Sequence, residues 1–261
     1  MSLIPAIPKP DPLARPSFPF FTVVPWLMLA SAIRFVAWSA GAPGLLFMLF
    51  ADLSVFIAFL LAVSGMIEWT GGRTALARLP FRDQVRLGWN ILKRVLALLI
   101  AGWLAVALLG GRAVAPHLLM GFDGIAFDQF SRLGMAWSAI LAALVLLMLV
   151  QAEQAGKPAL FAAIAEFARR AAHLVPAVIA IAVFLIALHA VQGYVRGGVR
   201  VILHTPEVPR LVFHLIYFAF VFGFATIRLW VVVALLAYAL RASYRRQGPK
   251  LPAPTTGPAQ G

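Results

Sequence analysis

Apolar residues run through this chain in long blocks separated by short polar breaks, and the block lengths set the first expectation. Residues 20–40 and 45–67 are nearly uninterrupted apolar runs joined by Gly41-Ala42-Pro43-Gly44, a turn signal without a charge. Further runs occupy residues 95–110, 133–150, 173–192 and 211–240. A hydrocarbon core about 30 Å thick takes about 20 helical residues to cross, so six spans are predicted. The last run is too long for an untilted crossing, which places its membrane portion at 218–240 and leaves 211–217 at the outer interface.

Two mixed stretches carry helical periodicity instead. Phe81, Val85, Trp89 and Leu92 repeat beside a polar stripe of Arg82, Arg86, Asn90 and Lys93. Leu160, Phe161, Ile164, Phe167 and Ala168 repeat opposite Lys157, Glu166, Arg169 and Arg170. Both predict amphipathic helices lying in the cytoplasmic interface, each ending in a basic pair ahead of a span. Pro176 suits a first helical turn, where its missing N–H costs little, so the second of these helices is expected to bend into the fifth span there. Residues 111–132 and 193–210 are expected to be outer loops, the latter broken by Gly197-Gly198, Pro206 and Pro209.

The resulting fold class is all-α: a polytopic transmembrane helical bundle over residues 20–246 with six spans and two cytoplasmic interfacial helices. The proline-rich arm 1–19 and the Pro/Gly-rich tail 247–261 are expected to be disordered. Prolines at positions 5, 8, 10, 12, 16 and 19 break the uninterrupted apolar helix that a secretory signal needs.

Composition supports this placement. The chain is 62% hydrophobic and 12% charged, against roughly 25% charged residues in soluble domains; the lipid bilayer is the expected solvent for the rest. A net charge of +13 raises nucleic acid as a partner, but the cations fall between the apolar runs. Fifteen Lys and Arg lie on the side holding both termini and the loop from Glu68 to Arg94, and five on the other. The positive-inside rule then puts both termini in the cytoplasm, consistent with a bacterial inner membrane, and no nucleic-acid partner is expected. The absence of cysteine excludes disulfides, thiolate nucleophiles and Cys-based metal sites.

The remaining two cations, Arg34 and Arg228, lie inside apolar runs, as does Asp52. Each charge would cost about 2.5–3.5 kcal/mol at the bilayer centre on insertion scales. They are therefore expected to face the bundle interior, as an ion pair fixing helix register or as a polar path for an ion or proton. Arg34 and Asp52 each stand nine residues from Pro43, at equal depth on the first hairpin. Arg228 competes for Asp52.

His189 and His214 flank the second outer loop and could ligate a haem iron from opposite sides; a role as interfacial residues accounts for them more simply, and no cofactor is expected. His117, Asp123, Asp128, His204 and Glu207 fall in the outer loops without metal-ligand spacing. No phosphate-binding glycine loop, zinc helix or nucleophile elbow occurs.

The segments Val150-Gln151-Ala152-Glu153 through Phe167-Ala168-Arg169-Arg170, and Ile227-Arg228-Leu229-Trp230, resemble a loose class of uncharacterised bacterial six-helix membrane proteins. The pattern is similar to the membrane domain accompanying some glycerophosphodiester phosphodiesterases. The resemblance covers the second half of the chain and brings no catalytic residue, since the hydrolase domain of those proteins has no counterpart here. The leading expectation is a non-enzymatic scaffold, assembly or regulatory component acting on a membrane protein partner or as a homo-oligomer. A small transporter or permease subunit using Arg34, Asp52 and Arg228 is the second reading. A membrane cytochrome or quinone-handling subunit is the third.

Overall fold

The computed structural model describes residues 20–39, 44–69, 74, 76, 79–108, 132–203 and 209–247, and the terminal arms and the segment 109–131 lie outside them. Every regular element among the described residues is an α-helix: α1 Phe20–Ser39, α2 Gly44–Trp69, α3 Phe81–Leu108, α4 Arg132–Ala155, α5 Leu160–Arg169, α6 Ala171–Leu203 and α7 Arg210–Gln247. Four of them carry a stretch long and apolar enough to cross a membrane: Leu49–Trp69, Met135–Glu153, Ala171–Val201 and Leu211–Ser243. Helix α1 contributes a shorter apolar segment, Phe20–Ile33.

Helices α2 and α4 form the interior. All nine residues from Leu141 to Leu149 are buried, as are Val55 to Leu60, so over these stretches both helices are enclosed on every side. A helix that is apolar all round has no face to turn to water and must be surrounded. Burial reaches 78% and 72% over the apolar stretches of α2 and α4 but only 33% over those of α6 and α7. Helix α7 packs against α1, α2, α4 and α6, and α4 packs against α3, α5, α6 and α7, so these two tie the hairpins together.

Helix ends follow local chemistry. Pro80 precedes α3, its carbonyl accepting the N–H groups of Asp83 at 2.8 Å and Gln84 at 3.0 Å. Asp83 puts negative charge in the first turn, where the helix dipole favours it. Helix α4 stops at Gly156, whose φ of 72° suits glycine alone at little cost and whose N–H bonds the Ala152 carbonyl at 3.0 Å. In the connection after α2, the Thr74 hydroxyl donates to Glu153 Oε2 at 3.1 Å and accepts the Leu76 N–H at 3.2 Å. Leu76, 1% exposed, is thereby drawn into the core, and Thr74 is held against the end of α4.

Several expected boundaries move. The surface helix at 81–94 and the third span from 95 are one continuous helix, α3. Neither Gly nor Pro interrupts residues 89–101, and the Arg94 guanidinium bonds the Asn90 carbonyl one turn back, so the basic pair does not end the helix. The fifth span continues to Leu203 through Gly197 and Gly198, residues expected in a loop. Each glycine costs about 1 kcal/mol in a helix interior; both stand in open space on an exposed part of α6, and the helix runs through them all the same. Helix α7 likewise begins at Arg210 and runs without a break.

The break between α5 and α6 falls at Arg170, six residues before Pro176, which sits inside α6. Arg170 is 8% exposed, its Nε donating to Glu166 Oε1 and its Nη1 to Ser243 Oγ on α7 at 2.8 Å. One guanidinium thus joins the bend to the end of the last helix. Arg170→Met should lower stability by about 1.5–3 kcal/mol, the worth of hydrogen bonds to a charged group, measured by thermal unfolding in detergent. Arg169→Met removes a side chain that is 73% exposed although paired with Glu166, and should change stability by no more than about 0.5 kcal/mol.

Candidate functional site

The membrane charges fall on three helices that touch one another: α1 carries position 34, α2 carries Asp52 and α7 carries Arg228. Asp52 is 1% exposed, one turn before the fully buried stretch Val55 to Leu60 of α2. Its neighbours illustrate why it differs from other buried polar residues. Ser31 and Ser54 satisfy their hydroxyls in their own helices, donating to the carbonyls of Leu27 at 2.8 Å and Phe50 at 2.9 Å. An ionised carboxylate only accepts, and helix carbonyls offer it no proton, so its donors must come from elsewhere.

Ser39 closes α1 and Gly44 opens α2, so Asp52 stands opposite about position 31 and about 4.5 Å in depth from position 34. The separation is about three residues rather than the equal depth expected from a turn centred on Pro43. Arg228 is anchored differently: Trp230, two residues on, stacks with Phe20 at a centroid distance of 6.5 Å, tying that part of α7 to the first turn of α1. Position 34 is about 21 Å further along α1. Ser64, fully buried on α2 with no hydrogen-bond partner for its Oγ, is a further interior polar group. A lone serine in an apolar run gives no signal in sequence.

The histidines do not lie opposite one another. The Arg170–Ser243 contact and the connection from Leu203 to Arg210 fix the same antiparallel alignment of α6 and α7. In it His189 stands opposite about residue 224, leaving His214 about 15 Å away along the hairpin. His214 is exposed and its ring meets that of Phe213 edge-on at 5.6 Å. Among the described residues no group of three His, Asp or Glu side chains is arranged to hold a metal. His117, Asp123, Asp128, His204 and Glu207 lie outside them.

A small cleft opens where α3 meets the end of α4, lined by Leu76, Leu79, Arg86, Asn90, Ala152 and Pro158 among others. Its volume of about 30 Å³ suits a water molecule rather than an organic substrate.

No family model, curated protein or solved structure matches this chain.

The electrostatic arrangement of α1, α2 and α7 makes charge reversal informative. Where Arg34 and Asp52 pair, Arg34→Asp and Asp52→Arg should each reduce the yield of folded protein, because breaking a buried pair costs about 3–5 kcal/mol, and the double variant should recover part of the loss. Size-exclusion profiles of detergent extracts give the readout. Rescue of Asp52→Arg by Arg228→Asp instead would assign the pair to α7.

Proposed function

We propose that this chain is an integral membrane protein with six crossings, α1 and the apolar half of α3 adding to the four long apolar helices, and with both termini in the cytoplasm of a bacterial cell. In this reading α5 lies in the cytoplasmic interface, with Phe161 and Ile164 exposed on its apolar side. The division of Lys and Arg between the two sides supports the orientation. Its role is that of a non-enzymatic scaffold or assembly component for another membrane protein or a further copy of itself.

The observation carrying the scaffold reading is the asymmetry of the bundle. Helices α2 and α4 are closed in, while α6 and α7 leave Ile179, Val183, Tyr194, Ile227 and Tyr238 uncovered along one side of the hairpin. Such a face is available to lipid and to partner helices alike. Transport through the interior is the second reading, favoured by a carboxylate as buried as Asp52.

Photo-crosslinkers at Ile179 and Val183 in growing cells should give a discrete protein adduct, whereas one at the enclosed Leu146 should give none. Adducts to lipid alone at all exposed positions would remove the scaffold reading. Asp52→Asn separates the two roles: it should leave the adduct intact, and loss of an ion flux from reconstituted vesicles on that substitution would establish transport.

Topology has its own test. Reporter fusions after Gly44, His117 and Gly198 should read as external, and fusions after Gly72, Gly156 and Gly261 as cytoplasmic. A cytoplasmic signal at Gly198 would overturn the second half of the arrangement.

A further inference from the structure

Helix α3 keeps one narrow stripe exposed from Arg82 to Ile100, with Leu104 and Leu108 exposed in line with it, and the chemistry of that stripe changes once. Arg82, Arg86, Trp89, Lys93, Ala97, Ile100, Leu104 and Leu108 recur at helical spacing and are all exposed, while the residues between them are buried or half-buried wherever they are described. Up to Lys93 the stripe is cationic with one indole; from Ala97 onward it is wholly apolar. Since α3 is unbroken, the change marks a level along a single rod, between Lys93 and Ala97, and Trp89 lies one turn before Lys93 on the cationic side, among the headgroups where an amphipathic ring is favoured.

These cations differ from those on the neighbouring helices. Arg169 and Arg170 both pair with Glu166. Arg82, Arg86 and Lys93 form no ion pair among the described residues, and the Lys93 ammonium lies 5.5 Å from the centroid of the Trp89 ring. Arg86 also borders the cleft beside α4, where Gly156 and Pro158 bracket the exposed Lys157. Arg86 and Lys93 are two turns apart, about 10 Å, close enough for two long side chains to converge on one phosphate.

We propose that this stripe binds an anionic phospholipid, its phosphate held by Arg86 and Lys93 and its acyl chains lying along Ala97, Ile100 and Leu104. The inference rests on the membrane-spanning reading, which requires lipid against Ile100, Leu104 and Leu108; a lipid seated there brings its headgroup to the level of Lys93. Charge complementarity then selects the anionic headgroup over the zwitterionic one, each cation near the surface strengthening the attraction roughly fivefold.

Native mass spectrometry of the full chain in a non-ionic detergent, titrated with phosphatidylglycerol, phosphatidylcholine or glycerol 3-phosphate, tests it. Wild type should retain phosphatidylglycerol several-fold better than phosphatidylcholine and hold no glycerol 3-phosphate. The variant Arg86→Gln/Lys93→Gln should lose that preference, whereas Arg169→Gln, which removes a cation already paired, should keep it. Lys93→Arg should also keep it and guards against a folding defect in the double variant. Equal retention of the two lipids by wild type, an unchanged preference in the double variant, or retention of glycerol 3-phosphate equal to that of the lipid would each overturn the proposal. Alkaline carbonate washing of membranes isolates the underlying reading: release of wild type into the supernatant would reject membrane embedding itself, whereas retention with no lipid preference rejects only the headgroup site.

Discussion

Enclosing two helices that have no polar side is the constraint from which the rest of the architecture follows. Helices α2 and α4 can be satisfied only by apolar neighbours all round, and each buried leucine or phenylalanine contributes about 1.5–3 kcal/mol against exposure to water. Helices α1, α3, α6 and α7 supply those neighbours with one side each and turn the other side outward. An outward side made of valine, isoleucine and tyrosine moves the solvation problem to the perimeter. A bilayer resolves it there, because lipid tails are as apolar as the side chains they meet.

Two basic pairs that look equivalent in sequence do opposite things. Lys93-Arg94 lies within a straight helix, with Lys93 outward and Arg94 bonded to its own backbone. Arg169-Arg170 stands at a break, with Arg170 drawn inward between Glu166 and Ser243. The difference lies in partners far along the chain: seventy-three residues separate Arg170 from Ser243, and no local pattern announces that contact. Local pattern did announce the helix at Leu160–Arg169, on which Phe161 and Ile164 are outward and Ala163 is buried.

Legibility followed the strength of the local signal. Long apolar blocks such as 133–150 and 211–240 identified helices, because a chain of that length crossing a bilayer must satisfy its backbone within itself. Helix ends were less visible. Gly197-Gly198 resembles a loop signal, yet α6 continues through both, a cost of about 1 kcal/mol each that a helix of 33 residues carries. At the candidate site the sequence marked Asp52 as a buried charge, because a carboxylate inside an apolar run must turn away from lipid and toward the bundle, and the structure finds it enclosed. It did not mark Ser64, whose burial depends on packing. Nor did it reveal the offset of His189 and His214, which depends on how α6 and α7 align over their full length.

That alignment has a mechanical consequence. The apolar stretches of α6 and α7 contain 31 and 33 residues, about 46–50 Å of helix against a hydrocarbon layer of about 30 Å. Bringing such rods within the layer by inclination alone would need about 50° from the membrane normal, beyond the 0–40° range usual for membrane helices. The excess length falls at ends that carry Arg196 and Arg200 on α6 and Arg241 on α7, where long cationic side chains suit headgroups rather than hydrocarbon.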